Sequence, residues 1–136
     1  MKNITLKSIG ALAAGFAFIG VTHNGTDVIL KSVGVLPKDN LYTSTSIILF
    51  VIFYRALFSL IGSYIVARLA PNKPMNHALI LGGIGTLLSI IGAVVTADMH
   101  LGPAWYAWSL ALIAMPVAWA GGKLYMIRNT DRATSA

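Results

Sequence analysis

THNGTDVILK, residues 22–31, is the stretch on which the reading of this chain turns. Thirteen apolar or glycine residues, Ile9 to Val21, come before it, and a further apolar patch, VGVL, follows at 33–36. Between them stand a histidine, an asparagine, an aspartate and a lysine. They are either a loop between two short segments or polar groups inside one membrane helix. A helix ending at Val21 is marginal as a span and strands VILKSVGVLP outside it. A helix over about 5–36 is long but can tilt, and Pro37 is a natural stop. On such a helix His23, Asp27 and Lys31 fall at i, i+4 and i+8 and line one face, with Asn24 beside them. Ala11 and Gly15 continue that face on the Lys7 side, where their small size lets another helix come close. A loop has no reason for this spacing. The stretch reads as the outer third of a transmembrane helix.

Composition agrees. Of 136 residues 57% are hydrophobic and only 10% are charged, far from the balance of a water-soluble domain. Three further apolar runs, Ile47–Ala67, Ala78–Ala97 and Ala104–Met126, each reach the roughly 20 residues that cross a hydrocarbon core of about 30 Å as a helix. The expected fold is an all-α integral membrane protein. It is a four-transmembrane-helix up-down bundle forming a single domain over 1–136, with helices about 5–36, 44–69, 76–97 and 104–127.

The absence of cysteine excludes disulfides, thiol redox chemistry and thiolate metal sites. The net charge of +6 invites a nucleic-acid reading, but no basic run exists and the cations sit at segment ends. Lys2 and Lys7 before an apolar run resemble a signal peptide. No small-x-small cleavage site follows Val21, so a retained helix is expected.

Arg55 stands near the middle of the second apolar run, and Arg55, Ser59, Ser63 and Ala67 recur every fourth residue. A charge at the bilayer centre costs roughly 2.5–3.5 kcal/mol on insertion scales, so it faces protein or water and takes a partner. Carboxylates are few: Asp27, Asp39, Asp98, Asp131 and the C-terminus, with no glutamate at all. Counted from the turn at Pro37, Asp27 lies roughly 13 Å and Arg55 roughly 18 Å along their helices, within reach of a long side chain. Asp27–Arg55 is the expected pair, with Lys31 a weaker competitor for the same carboxylate.

The third helix carries Gly85, Ser89, Ala93 and Ala97 at fourth-residue intervals, the small-xxx-small pattern of close helix contacts. Its GGIG cluster lacks the preceding strand and following lysine of a phosphate loop. The fourth begins at GPAWYAW, whose aromatic rings suit a membrane interface, and Pro116 is expected to kink it. Under an N-in topology the inner side holds Lys2, Lys7, Arg68, Lys73, Lys123, Arg128 and Arg132, against Lys31 and Lys38 outside. That asymmetry predicts four spans with both termini on the cytoplasmic side.

GTDVIL with GVLP, YRALFSLIGSYIVARLAPNKPMNHALILG and GPAWYAWSLALIAMPVAWAGGKL together resemble a family of uncharacterised small bacterial four-helix inner-membrane proteins. The resemblance implies that architecture and no particular activity. Small multidrug transporters are similar in size, but their helix 1 carboxylate is a glutamate without such an arginine.

His23, His77 and His100 fall at different depths and sides, so neither a shared metal site nor a haem is expected, and no cofactor. Two function classes remain. The first is a non-enzymatic accessory or self-associating bundle, partnered by the bilayer and by copies of itself or a larger membrane complex. The second is a small oligomeric transporter or channel using His23, Asn24, Asp27, Arg55 and Ser59. An enzyme ranks behind both, because no nucleophile–base pair and no second carboxylate lies at depth. Water access to Asp27 separates the first two.

Overall fold

The computed structural model describes residues 2–135. Four α-helices, α1 (Lys2–Ser32), α2 (Thr45–Leu69), α3 (Pro74–Val95) and α4 (Ala104–Ser135), account for most of them, with one 3₁₀ turn at Ala97–Met99. Each is long and apolar enough to cross a membrane. Large side chains such as Val21, Val28, Leu87 and Leu112 stand more than 60% exposed, so the outer faces form one continuous apolar surface that water would not tolerate.

The stretch at 22–31 is helical throughout. α1 nevertheless stops at Ser32, four residues short of the expected end at 36, and the cause is Gly34 and not Pro37. Gly34 adopts φ +80°, a left-handed conformation open to glycine, and closes a Schellman turn. In that turn Val35 N–H donates to Leu30 O at 2.9 Å and Gly34 N–H to Lys31 O at 3.3 Å. α3 begins at Pro74, two residues before the expected start, because proline at a first helical position sacrifices no hydrogen bond. It ends at Val95, so Ala97 lies outside it, exposed in the 3₁₀ turn. α4 runs unbroken through Pro116 and continues eight residues past the expected end at 127, as an exposed polar helix.

The chain reverses at each short connection. Leu41 N–H bonds Leu101 O, which joins the α1–α2 and α3–α4 loops at one end of the bundle. At the other end the Ser8 hydroxyl of α1 meets His77 Nε2 of α3 at 2.9 Å, while His77 Nδ1 lies 3.2 Å from Lys73 O. The carbonyl can only accept, so Nδ1 carries the proton and Nε2 accepts from Ser8.

The four helices are not equivalent. α2, α3 and α4 pack on one another, whereas α1 leans on α2, touches α3 sparingly and barely meets α4. Only 11% of the apolar stretch of α1 is buried in the bundle, against 22% for each of the others. Close approach is made by glycine. A Cβ on Gly121 of α4 would stand 2.5 Å from Leu60 O of α2, and one on Gly82 of α3 would stand 2.5 Å from Ala118 Cβ of α4. α1 crosses α2 at Gly15 and Gly62, where Ile19 covers Gly62 and Val66 covers Gly15.

Candidate functional site: a polar seam beside a cavity

The expected ridges on α1 and α2 face each other. Ala11 and Gly15 are buried on the α1 side, and Ser63 and Ala67 on the α2 side. Where those small residues end, the polar side chains begin. Arg55 Nη2 donates to Asp27 Oδ2, the one ion pair among the described residues. The side chains are 21% and 22% exposed, mostly enclosed by protein within a helix seam.

Asp27 has a second donor, Tyr54, whose hydroxyl bonds Oδ1. Both carboxylate oxygens are therefore engaged, one by a charged and one by a neutral donor, and charge-assisted bonds of this kind are the stronger ones. The tyrosine is buried at 6% exposure, held edge-on between Phe50 and Phe58. Its position beside Arg55 carried a signal: a tyrosine inside an apolar run must find a partner for its hydroxyl. Arg55 Nε is buried without a hydrogen-bond partner.

One turn inward, His23 Nε2 lies 2.9 Å from Arg55 O. The carbonyl acceptor places the imidazole proton on Nε2 and leaves Nδ1 as an acceptor. Ser59 Oγ stands 3.4 Å from the same Nε2. His23, Asp27, Tyr54, Arg55 and Ser59 thus form one seam that ties α1 to α2. Asn24 and Lys31 are outside it. Asn24 is exposed and turns its amide back to Gly20 O at 2.8 Å. Lys31, at the final turn of α1, makes no ion pair with Asp27.

Outward of the ion pair the seam is covered by apolar packing. Leu36, Val51 and Tyr54 form a buried cluster, with Leu30, Leu41 and Tyr106 packed against it. Inward of it lies a cavity of about 250 Å³ bordered by all four helices. His23, Asn24, Arg55, Ser59 and Ser63 line it from α1 and α2, but Asp27 does not. Gly85 and Ser89, expected as packing residues, also border this space, and a Cβ on Gly85 would meet only Ala114 Cβ, at 3.8 Å. The tight face of α3 is Ala78, Leu81 and Gly82, while Ala93 of the expected ridge is buried. Leu81 and Ala93 stand at the two ends of the same fourth-residue row as Gly85 and Ser89, so the row is packed at its ends and borders the cavity in its middle.

Among the described residues no three His, Cys, Asp or Glu side chains gather to hold a metal ion. No protein-family model, curated protein or solved structure matches the chain.

Proposed function

We propose that this chain is a non-enzymatic multi-pass protein of the bacterial cytoplasmic membrane, with both termini cytoplasmic, acting as a self-associating or accessory bundle. The observation that carries this reading is the closed state of its internal charge. Each carboxylate oxygen of Asp27 takes one donor, from Tyr54 and from Arg55, the carboxylate lies off the cavity, and its tyrosine partner is held in the Leu36–Val51–Tyr54 cluster. A carboxylate so placed fixes the register of α1 on α2. The orientation rests on seven Lys/Arg at the end holding both termini and the α2–α3 turn, against Lys31 and Lys38 at the other.

Association is supported by the outward face of α1. Gly10, Ala13, Ala17 and Gly25 are exposed there, and a Cβ on Gly10 or Gly25 would meet nothing within 4 Å. In lipid such a stripe permits another helix to approach closely. The second reading, transport of an ion or small solute, draws on the polar side chains that line the cavity.

The cysteine-free chain separates the two with single introduced thiols. Ser59→Cys is expected to resist a charged thiol reagent added to intact membranes, and Gly10→Cys to cross-link to a second copy. Rapid modification of Ser59→Cys from water makes transport the better account. Failure of Gly10→Cys to cross-link removes self-association.

A further inference from the structure

We infer that the cavity between the four helices is a binding site for an uncharged amphiphile, an alcohol or carbonyl compound with an apolar body, that enters from the bilayer between α1 and α3.

The hydroxyl groups of the bundle carry the argument. Within a helix surrounded by hydrocarbon a serine or threonine satisfies its donor by turning back to the carbonyl one turn earlier. Thr22, Ser63, Thr86, Thr96 and Ser109 all do so. Ser59 and Ser89 do not. Ser59 Oγ meets only His23 Nε2, at 3.4 Å, and that nitrogen already gives its proton to Arg55 O. Ser89 Oγ has no hydrogen-bond partner among the described residues. Both border the cavity, from α2 and α3. Two hydroxyl donors are thus left for whatever occupies the space, with His23 Nδ1 as a neighbouring acceptor.

The rest of the lining sets the ligand's character. Phe16, Leu81, Leu110, Ile113 and Val117 make the walls apolar. Arg55 borders the cavity, but an anion must compete there with the Asp27 carboxylate that already pairs it, and a cation finds no carboxylate in the lining. A volume of about 250 Å³ corresponds to about eight waters at liquid density, enough for a polar head and several methylenes. The entrance follows from packing: α1 touches α3 only sparingly, and Phe16 and Leu88, one from each, border the cavity while standing 49% and 48% exposed.

The test uses the full chain in phosphatidylcholine–phosphatidylglycerol nanodiscs and a diazirine-bearing eight-carbon alcohol, with adducts located by mass spectrometry. Adducts are expected at Phe16, Leu88 and Ile113, saturable and competed by 1-octanol but not by octane or octanoate. Ser59→Ala and Ser89→Ala should each raise the half-saturating concentration about three- to tenfold, the effect of one hydrogen bond. Octane competing as well as octanol overturns the proposal, because the hydroxyls then read nothing. Stronger competition by octanoate overturns it in favour of an anion site. Unsaturable labelling spread over outward residues such as Val21 and Leu112 reduces the cavity to a lipid-filled gap. The competition arms need only the unaltered protein, so a variant that fails to fold does not protect the proposal.

Discussion

The seam between α1 and α2 and the seam between α3 and α4 solve the same problem with different chemistry. In lipid, burying a leucine gains little, because the acyl chains are as apolar as the protein interior; helices associate through close packing and through polar contacts. α3 and α4 use the first means. Gly82 lies under Ala118 and Gly122 under Ala78, so the two backbones approach along much of their length. α1 and α2 use close packing only at Gly15 and Gly62, and then hand over to Asp27, Tyr54, Arg55 and His23. The glycine seam sets how near the helices come, since a Cβ on Gly82 or Gly122 would collide with the facing alanine. The polar seam admits one register, since a shift of one residue separates the carboxylate from both donors. It also leaves α1 loosely covered elsewhere, and the cavity lies where α1 parts from α3.

The sharpest way to break this contrast is to remove one charge. Asp27→Asn or Arg55→Gln leaves its partner uncompensated, and each is expected to cost about 3–5 kcal/mol of bundle stability, measured by reversible unfolding in mixed micelles. The double variant should recover much of that loss. If it is as unstable as the singles, the pair is not a register lock. Tyr54→Phe comes next. It deprives Asp27 of one donor but keeps the ring between Phe50 and Phe58, for an expected loss of about 1.5–3 kcal/mol. Cross-links between α1 and α2 should weaken while those between α3 and α4 persist.

Two glycine substitutions probe close packing against and by α4, one where it meets α2 and one where it meets α3. Gly121→Ala places a methyl group 2.5 Å from Leu60 O and 2.7 Å from Ser63 Cβ, so α4 must move off α2, at an expected cost of about 1–3 kcal/mol. Gly85→Ala meets only Ala114 at 3.8 Å, an ordinary contact. It should be neutral or add about 0.4–1 kcal/mol through the lower helix propensity of glycine. Equal damage from both changes would show that close approach is not confined to the positions where a Cβ collides.

The polar seam was legible from residue spacing because both partners hang from the same hairpin. Counting rises from the turn at Pro37 places Asp27 and Arg55 at similar depth without knowledge of any other contact. Tyr54 was less legible. It sits about 100° around the helix from Arg55, and whether its hydroxyl reaches Asp27 depends on how α2 is rotated against α1. The small-residue face of α3 was legible only as a stripe. Gly85 and Ser89 carry the same spacing as Ala78 and Gly82, and only the partner surface on α4 distinguishes packing positions from cavity positions. Gly121 and Gly122 lay beyond the polar pattern altogether, yet they set the distance of α4 from α2 and α3.

By itself the sequence determined four long apolar helices, the reversals between them and the one charge pair at depth. These follow from hydropathy over single segments and from helical periodicity, which are local properties. The tertiary structure alone decided that α1 rests on α2 and stands off α4, that Gly34 ends α1 ahead of Pro37, and that a cavity borders Ser59 and Ser89. Each of these depends on the rotation and separation of whole helices. Those are set by where backbones collide, and in a bundle lined by small residues a few methyl groups decide it.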